Sequence, residues 1–82
     1  MEESKAKILK ALGAIIRRYR ASMGISQEEL GLRCNLDRTY ISGLERGVRN
    51  PSLTALVTLA KGLNITVSEL IENLEVEARS IK

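Results

Sequence analysis

Histidine, phenylalanine and tryptophan are absent from this chain of 82 residues, which has two tyrosines, one proline and one cysteine. Histidine is the commonest metal ligand and a frequent general base, and a zinc site would need several Cys or His residues. Two tyrosines are too few for a platform on which the bases of a single strand stack. The composition therefore argues against a zinc protein and a single-strand binder, and no metal or other cofactor is expected.

Long apolar runs are also missing. No stretch of 18 apolar residues occurs, so no transmembrane helix is predicted, and the N-terminal residues lack the layout of a secretory signal. The lone Cys34 has no partner for an internal disulfide, which favours a reducing cytoplasm. Its position one turn after Leu30 favours a small core residue over a redox switch. We expect a cytoplasmic protein with one domain over residues 1–82.

The positive charge is concentrated in one half of the chain. The net charge is +3, and residues 1–50 hold ten Lys and Arg against six Asp and Glu, whereas residues 51–82 hold three against four. A basic half favours a surface that meets a polyanion. A set of solvated lysines and arginines is the alternative interpretation.

Apolar residues recur at helical spacing along the whole chain, and no segment alternates as a strand would. Ser26 with Glu29, and Thr66 with Glu69, have the spacing of helix-starting capping boxes, while Asp37 is a good N-cap. The sequence therefore predicts an all-α fold with five helices, at residues 5–23, 27–34, 38–46, 53–62 and 67–79.

The third predicted helix has an unusual polar side. With Ile41 and Leu44 pointing inward at about 3.6 residues per turn, the outward side carries Thr39, Ser42, Gly43 and Arg46. Arg38 and Tyr40 flank this side in the first turn. An exposed glycine within a helix costs about 1 kcal/mol against alanine, so Gly43 suggests a smooth spot that another surface approaches. Such a helix suits the major groove of B-DNA, where arginine binds guanine and threonine contacts a base edge or a thymine methyl. An ordinary solvated helix is the alternative.

Other functions are less well supported by the residues. Glu28 and Glu29 are adjacent on a helix and point apart, which argues against a catalytic carboxylate pair, and we expect no enzyme. The basic first helix has the composition of a membrane-surface helix, but its apolar residues are needed for the core, so no membrane partner is expected.

Residues 27–46, QEELGLRCNLDRTYISGLER, resemble the helix-turn-helix of the phage Cro/repressor (XRE-like) family. The resemblance extends from Leu12 to Leu74, and residues 36–52, LDRTYISGLERGVRNPS, are more similar still to the controller proteins of restriction–modification systems. It implies a five-helix, lambda-repressor-like domain and a small dimeric regulator that binds operators. Asn35 stands where the family commonly has glycine, and Asn tolerates a left-handed backbone.

The resemblance also implies roles for individual residues. Arg38 and Thr39 would read base edges. The DNA backbone would be contacted by Gln27, Tyr40, Ser42, Arg46, Arg49 and Asn50. By the same resemblance, Arg20 and Glu45 would form a partly buried ion pair between the first and third helices. Helical spacing puts Glu45 at the boundary of the core rather than toward DNA, which gives it a scaffold role.

The sequence thus favours a sequence-specific regulator of transcription that binds double-stranded operator DNA. One short helix makes few base contacts, so two half-sites and a homodimer are expected, with RNA polymerase a further candidate partner. The last helix has more apolar residues than an outermost helix should expose, which suggests a dimer interface of Ile65, Val67, Leu70 and Leu74. No small-molecule ligand is expected. A phage-type repressor, an autoregulating antitoxin and a protein-interaction module of the same fold are the alternatives.

Overall fold

A computed structural model describes residues 4–81, and within that range the protein is all-α, as predicted. Its six helices are α1 (Lys5–Met23), α2 (Gln27–Cys34), α3 (Arg38–Glu45), α4 (Leu53–Gly62), α5 (Val67–Ile71) and α6 (Leu74–Ser80). The first four begin and end within one residue of the predicted ranges.

Five of these helices begin with a side-chain cap. The capping oxygens accept hydrogen bonds from backbone N–H groups in the first turn and belong to Ser4, Ser26, Asp37, Ser52 and Thr66. The Thr66 cap is a complete capping box, because Glu69 also accepts from the N–H of Thr66. Such caps satisfy N–H groups that have no partner within the helix. The polar residues that mark the helix starts in the sequence therefore act locally, on backbone groups of their own first turn.

The last predicted helix is wrong as a single helix, because Glu72 and Asn73 form a turn that divides it into α5 and α6. Asn73 has low helix propensity and its side chain makes no capping hydrogen bond. The break lets α5 pack on α4 while α6 packs along α1. Leu70 in α5 and Ala78 in α6 are both completely buried as a result.

The core is centred on α1, which packs against α3, α5 and α6. The largest fully buried side chains of the core are Ile16, Leu30, Ile41, Leu44, Leu59 and Leu70. In α4, Leu53 and Val57 are 71% and 37% exposed. That helix packs through Leu59, Ala60 and the following Leu63, which are buried, and through Leu56, which is partly buried.

The backbones of α1 and α3 come very close at Gly13. A Cβ atom at this position would lie 2.5 Å from the carbonyl oxygen of Leu44 and 2.6 Å from that of Glu45. Real Cβ atoms do not approach backbone oxygens so closely, so only glycine fits. This contact determines where along its length α1 crosses the end of α3.

No single helix among residues 4–81 is long and apolar enough to span a membrane. The segments Leu53–Gly62 and Val67–Ser80 meet the length and composition criterion only when they are taken together, and they are bent by 104°.

Candidate nucleic-acid interface

Helices α2 and α3 are joined by a tight turn at residues 35–37. Asn35 has a left-handed backbone with φ 55°, and the N–H of Leu36 donates to the carbonyl of Gly31 at 2.8 Å. Ile41 and Leu44 on α3 are buried in the core, whereas Arg38, Thr39 and Arg46 are exposed. One side of α3 is therefore anchored in the protein, and the opposite side offers polar groups to a partner.

The first turn of α3 fixes the orientation of Thr39. Asp37 Oδ1 accepts from the backbone N–H of Thr39 at 2.8 Å and from its hydroxyl at 2.6 Å. The hydrogen bond from the Thr39 hydroxyl, and to a smaller extent the one from the backbone N–H, hold the pKa of the Asp37 carboxyl below its ordinary value. Because the Thr39 hydroxyl donates its hydrogen to Asp37, the oxygen is left as an acceptor toward solvent.

The predicted smooth spot at Gly43 is covered, which corrects the sequence-based expectation. A Cβ at Gly43 would lie 2.7 Å from Cγ of Arg49, so the arginine side chain crosses the helix at this point. The Arg49 guanidinium lies over the Tyr40 ring, 5.8 Å from its centroid, a distance typical of a cation–π contact. Gly43 thus makes room for Arg49, whose loop folds back over the outward side of α3.

The remaining polar residues of this side are also close together. Arg46 is exposed, and its Nε donates to Ser42 Oγ one turn earlier at 3.4 Å. Asn50 is exposed just before Pro51 and the start of α4. Together with Arg38 and Arg49, these residues make a polar surface with three arginines along α3 and the loop that follows it.

Glu45 is buried, with a side chain that is 0% exposed, and it connects three helices. Arg20 of α1 donates to it from Nε at 2.6 Å and from Nη2 at 2.9 Å, so the two predicted partners lie side by side. The site is more buried than the partly exposed pair that was expected, since the Arg20 side chain is 17% exposed. Arg20 Nη1 also donates to the carbonyl of Ile25 at 2.9 Å, which links the pair to the loop before α2.

Two further side chains donate to the same carboxylate. Gln27 Nε2 lies 3.1 Å from Glu45 Oε1, and Arg17 Nε lies 3.5 Å from the same oxygen. The sequence predicts only a DNA-backbone contact for Gln27, and it predicts no contact between Arg17 and Glu45. Arg17 lies three residues before Arg20, the spacing of neighbours on one helix face, and this was the available signal.

Opposing effects set the protonation of Glu45. Burial raises the pKa of its carboxyl. The hydrogen bonds from Arg20, Gln27 and Arg17, together with the charge of Arg20, lower the pKa by more than burial raises it, so the pKa lies below its ordinary value. The hydrogen bond to Glu45 raises the pKa of Arg20. Both groups are therefore charged at neutral pH, and the pair is a fixed ionic link between α1 and α3.

The predicted dimer-interface residues do not share one environment. Leu70 is completely buried in the core, so it is wrong as a surface candidate. Ile65, Val67 and Leu74 are half-buried and keep part of their surface exposed. Beside them in sequence Ile71 is 39% exposed, because it points away from the core that Leu70 fills. Apolar side chains on α4, on α5 and beside them thus remain partly exposed in the single chain.

Comparison with known proteins gives the same fold and places the chain among regulators. Residues 16–70 match the helix-turn-helix family HTH_3. The control protein C.MunI of a Mycoplasma species is 47% identical over 53 residues, which cover 65% of this chain and 72% of that protein.

Two solved structures extend the similarity. The restriction–modification controller protein C.AhdI of Aeromonas hydrophila is 44% identical, with a TM-score of 0.74 over 76% of this chain and 94% of that one. The controller protein C.Esp1396I, crystallised as a tetramer with its natural 35-base-pair operator, is 37% identical, with a TM-score of 0.79 over 89% of this chain and 96% of that one. The predicted resemblance to controller proteins is thus confirmed.

Proposed function

We propose that this chain, which belongs to the helix-turn-helix family and is a DNA-binding regulator, is a restriction–modification controller protein that binds operator DNA as a homodimer. It acts by binding and not by catalysis. The observation that carries the proposal is the two-sided α3, whose inward residues lie in the core while its outward residues form a polar surface rich in arginine.

Arg38 and Thr39 are the proposed base-reading residues. An arginine presented at the start of a helix in the major groove can donate two hydrogen bonds to O6 and N7 of guanine. The Thr39 hydroxyl already donates to Asp37, so toward DNA its oxygen accepts. Thr39 therefore fits an amino group on cytosine or adenine, while its methyl group fits the methyl of thymine.

The proposed backbone contacts surround these two residues. Gln27 lies at the N-terminus of α2, where N–H groups and the helix dipole favour a phosphate. Tyr40, Ser42, Arg46, Arg49 and Asn50 follow along α3 and its loop. Because Arg49 stacks on Tyr40, we expect the two side chains to contact one stretch of backbone as a unit.

The proposed dimer forms through partly exposed apolar residues of α4, of α5, of the loop between them and of the start of α6. Its members are the half-buried residues Ile65, Val67 and Leu74 of the original prediction, together with the more exposed Leu53, Val57 and Ile71. Burial of such side chains in a second copy stabilises the dimer through the hydrophobic effect. Two copies then present two α3 helices to two half-sites.

A binding titration tests this function. The DNA upstream of the gene for this chain, as a labelled duplex, is compared with a random duplex of equal length across a series of salt concentrations. We expect tighter binding to the upstream duplex and a steep loss of affinity as salt rises, because phosphate contacts release counterions. Equal binding to both duplexes, or no dependence on salt, would contradict a sequence-specific DNA-binding role and favour a protein-interaction module.

The controller role has a separate test. A gene for a restriction endonuclease and one for a methyltransferase next to the gene for this chain would support it. A neighbouring toxin gene or a set of phage genes would instead favour an autoregulating antitoxin or a phage-type repressor. A run-off transcription assay with RNA polymerase then measures whether the bound protein raises or lowers transcription.

A further inference from the structure

We propose that Arg17 is a further DNA-backbone contact, held by Glu45 beside Gln27 so that the two side chains bind one phosphate together. This inference rests on the proposed DNA-binding function, and it concerns a residue of α1 rather than of the helix-turn-helix.

A single oxygen atom brings the two side chains together. Glu45 Oε1 lies 3.5 Å from Arg17 Nε and 3.1 Å from Gln27 Nε2. Residues on α1 and α2 are therefore neighbours in space, although ten positions separate them in the sequence. A phosphate, with several acceptor oxygens, suits two such donors because each oxygen can accept from a different side chain.

The charges around Glu45 leave a positive excess at the surface. Arg20 alone neutralises the carboxylate, since it donates two short hydrogen bonds and is largely buried. Arg17 brings a second positive charge, and its side chain is 59% exposed. Its contact with Glu45 uses Nε at a long 3.5 Å, so the two terminal guanidinium nitrogens are not needed for this contact. Arginine commonly binds phosphate through such paired nitrogens.

Gln27 has donor capacity left for the same ligand. Its side-chain amide carries two hydrogens, of which one is directed to Glu45. Gln27 is also the first residue of the eight-residue helix α2, and the positive end of a helix dipole favours an anion there. An anion between Gln27 and Arg17 therefore meets two donors, a helix N-terminus and a full positive charge.

The adjacent Arg18 provides a matched control. It has the same charge and the same exposed fraction of 59%, but it pairs with Glu77 of α6 at 2.5 Å. Arg18 therefore lies on the side of α1 that faces α6, whereas Arg17 lies beside α2 and α3. If overall charge alone governed DNA binding, the two arginines would be equivalent.

The experiment measures how the affinity of the full chain for duplex DNA changes with salt. Wild type, Arg17→Ala, Arg17→Lys and Arg18→Ala are titrated with the upstream duplex and a random duplex, and their melting temperatures are recorded. A lost phosphate contact reduces the slope of log K against log salt by about 0.9, so a dimer on two half-sites loses about 1.8. Between 50 and 200 mM salt, Arg17→Ala should therefore lose about tenfold less affinity than wild type does.

The expected pattern is specific to a phosphate contact. Arg17→Ala should reduce the slope equally on both duplexes, Arg17→Lys should keep it, and Arg18→Ala should match wild type. An unchanged slope for Arg17→Ala, with or without a lower melting temperature, would overturn the proposal and make Arg17 a structural partner of Glu45. Equal slope losses for Arg17→Ala and Arg18→Ala would overturn it as well. If wild type shows no salt-sensitive binding, the proposed function itself fails.

Discussion

Arg38 is the residue on which the proposed base recognition depends most. It is exposed at the first position of α3, immediately after the Asp37 cap. We expect Arg38→Ala to lose about 1–3 kcal/mol of specific affinity, because a bidentate arginine–guanine contact contributes this much discrimination. Discrimination should relax at one base position in each half-site, which a set of singly substituted operators measures by fluorescence anisotropy.

Arg49 is the natural comparison, because its proposed contacts are with the DNA backbone. Arg49→Ala should weaken binding to operator and random duplexes by the same factor. If Arg38→Ala leaves both affinities unchanged, Arg38 does not read bases. If Arg49→Ala alters the preference among operators, the division between base reading and backbone contact is wrong.

Glu45 is expected to serve stability rather than base recognition. Its carboxylate is buried with Arg20, Gln27 and Arg17 as donors, and breaking a buried ion pair costs about 3–5 kcal/mol. Glu45→Gln keeps one oxygen acceptor, so we expect a loss near the lower end, about 3 kcal/mol. Urea unfolding at neutral pH measures this loss. The folded variant should retain the operator preference of wild type in anisotropy titrations.

The same variant tests the lowered pKa of Glu45. Since the folded-state pKa is depressed, the stabilisation is complete above the unfolded pKa of about 4.3 and is lost as the pH falls through the folded value. The difference in unfolding free energy between wild type and Glu45→Gln should therefore shrink as the pH is lowered below about 4. A difference that stays constant down to pH 3 would contradict the lowered pKa of Glu45.

The sequence was informative about some residues and silent about others. Caps such as Asp37 act on neighbours two or three positions away, so local sequence is sufficient to predict them. The contacts of Arg17 with Glu45 and of Arg49 with Gly43 were not predicted, because they depend on where other elements lie. Arg49 covers Gly43 only because the loop after α3 folds back, and no periodicity within α3 contains that information.

Among the helices, α1 and α3 approach each other very closely at Gly13. Gly13→Ala should gain about 1 kcal/mol of helix propensity, but the new Cβ would meet the carbonyl oxygens of Leu44 and Glu45. Backbone cannot yield as a flexible side chain does, and overpacking of this kind costs about 1–3 kcal/mol or more. We expect a net loss of stability in thermal unfolding.

Gly43→Ala is the matched control on the facing helix. There the new Cβ would meet the side chain of Arg49, which can move away. Stability should be kept or slightly raised, while DNA affinity falls because Arg49 leaves Tyr40. If Gly13→Ala is as stable as Gly43→Ala, the close crossing of α1 over α3 is not a constraint on the fold.

The division between α5 and α6 shows what helical periodicity leaves out. The start at Thr66 carries a complete capping box, and it was predicted from local sequence. The break at Glu72 and Asn73 has no glycine, proline or side-chain cap to signal it. It arises because α5 packs on α4 while α6 packs along α1, and these contacts depend on the whole tertiary structure.

For the whole molecule, the dimer is the assembly to be tested. Leu70→Glu is unsuitable because Leu70 fills the core, so its failure would report unfolding. Ile71 is 39% exposed, and Ile71→Glu should leave the monomer folded while introducing two repelling charges at a two-fold interface. We expect sedimentation equilibrium to show that Ile71→Glu is a monomer at micromolar concentration. Its operator affinity should fall because the dimer is lost.

Leu32→Glu serves as the control for this variant. Leu32 is 74% exposed on α2 and is not one of the proposed interface residues, so the added charge should not change the state of association. A wild type that is monomeric in sedimentation yet binds its operator tightly and without cooperativity would contradict the dimer. Circular dichroism of each variant confirms that the comparison is made between folded proteins.

The separation of buried and exposed residues along α3 has an evolutionary consequence. Ile41, Leu44 and Glu45 are tied to the core and tolerate few substitutions, whereas Arg38 and Thr39 are exposed. Surface substitutions usually change stability by less than about 0.5 kcal/mol. Given the base-reading role proposed for Arg38 and Thr39, changes at these two positions alter operator choice at little cost to folding. A duplicated copy of this gene would diverge in the promoters it controls long before it diverged in fold.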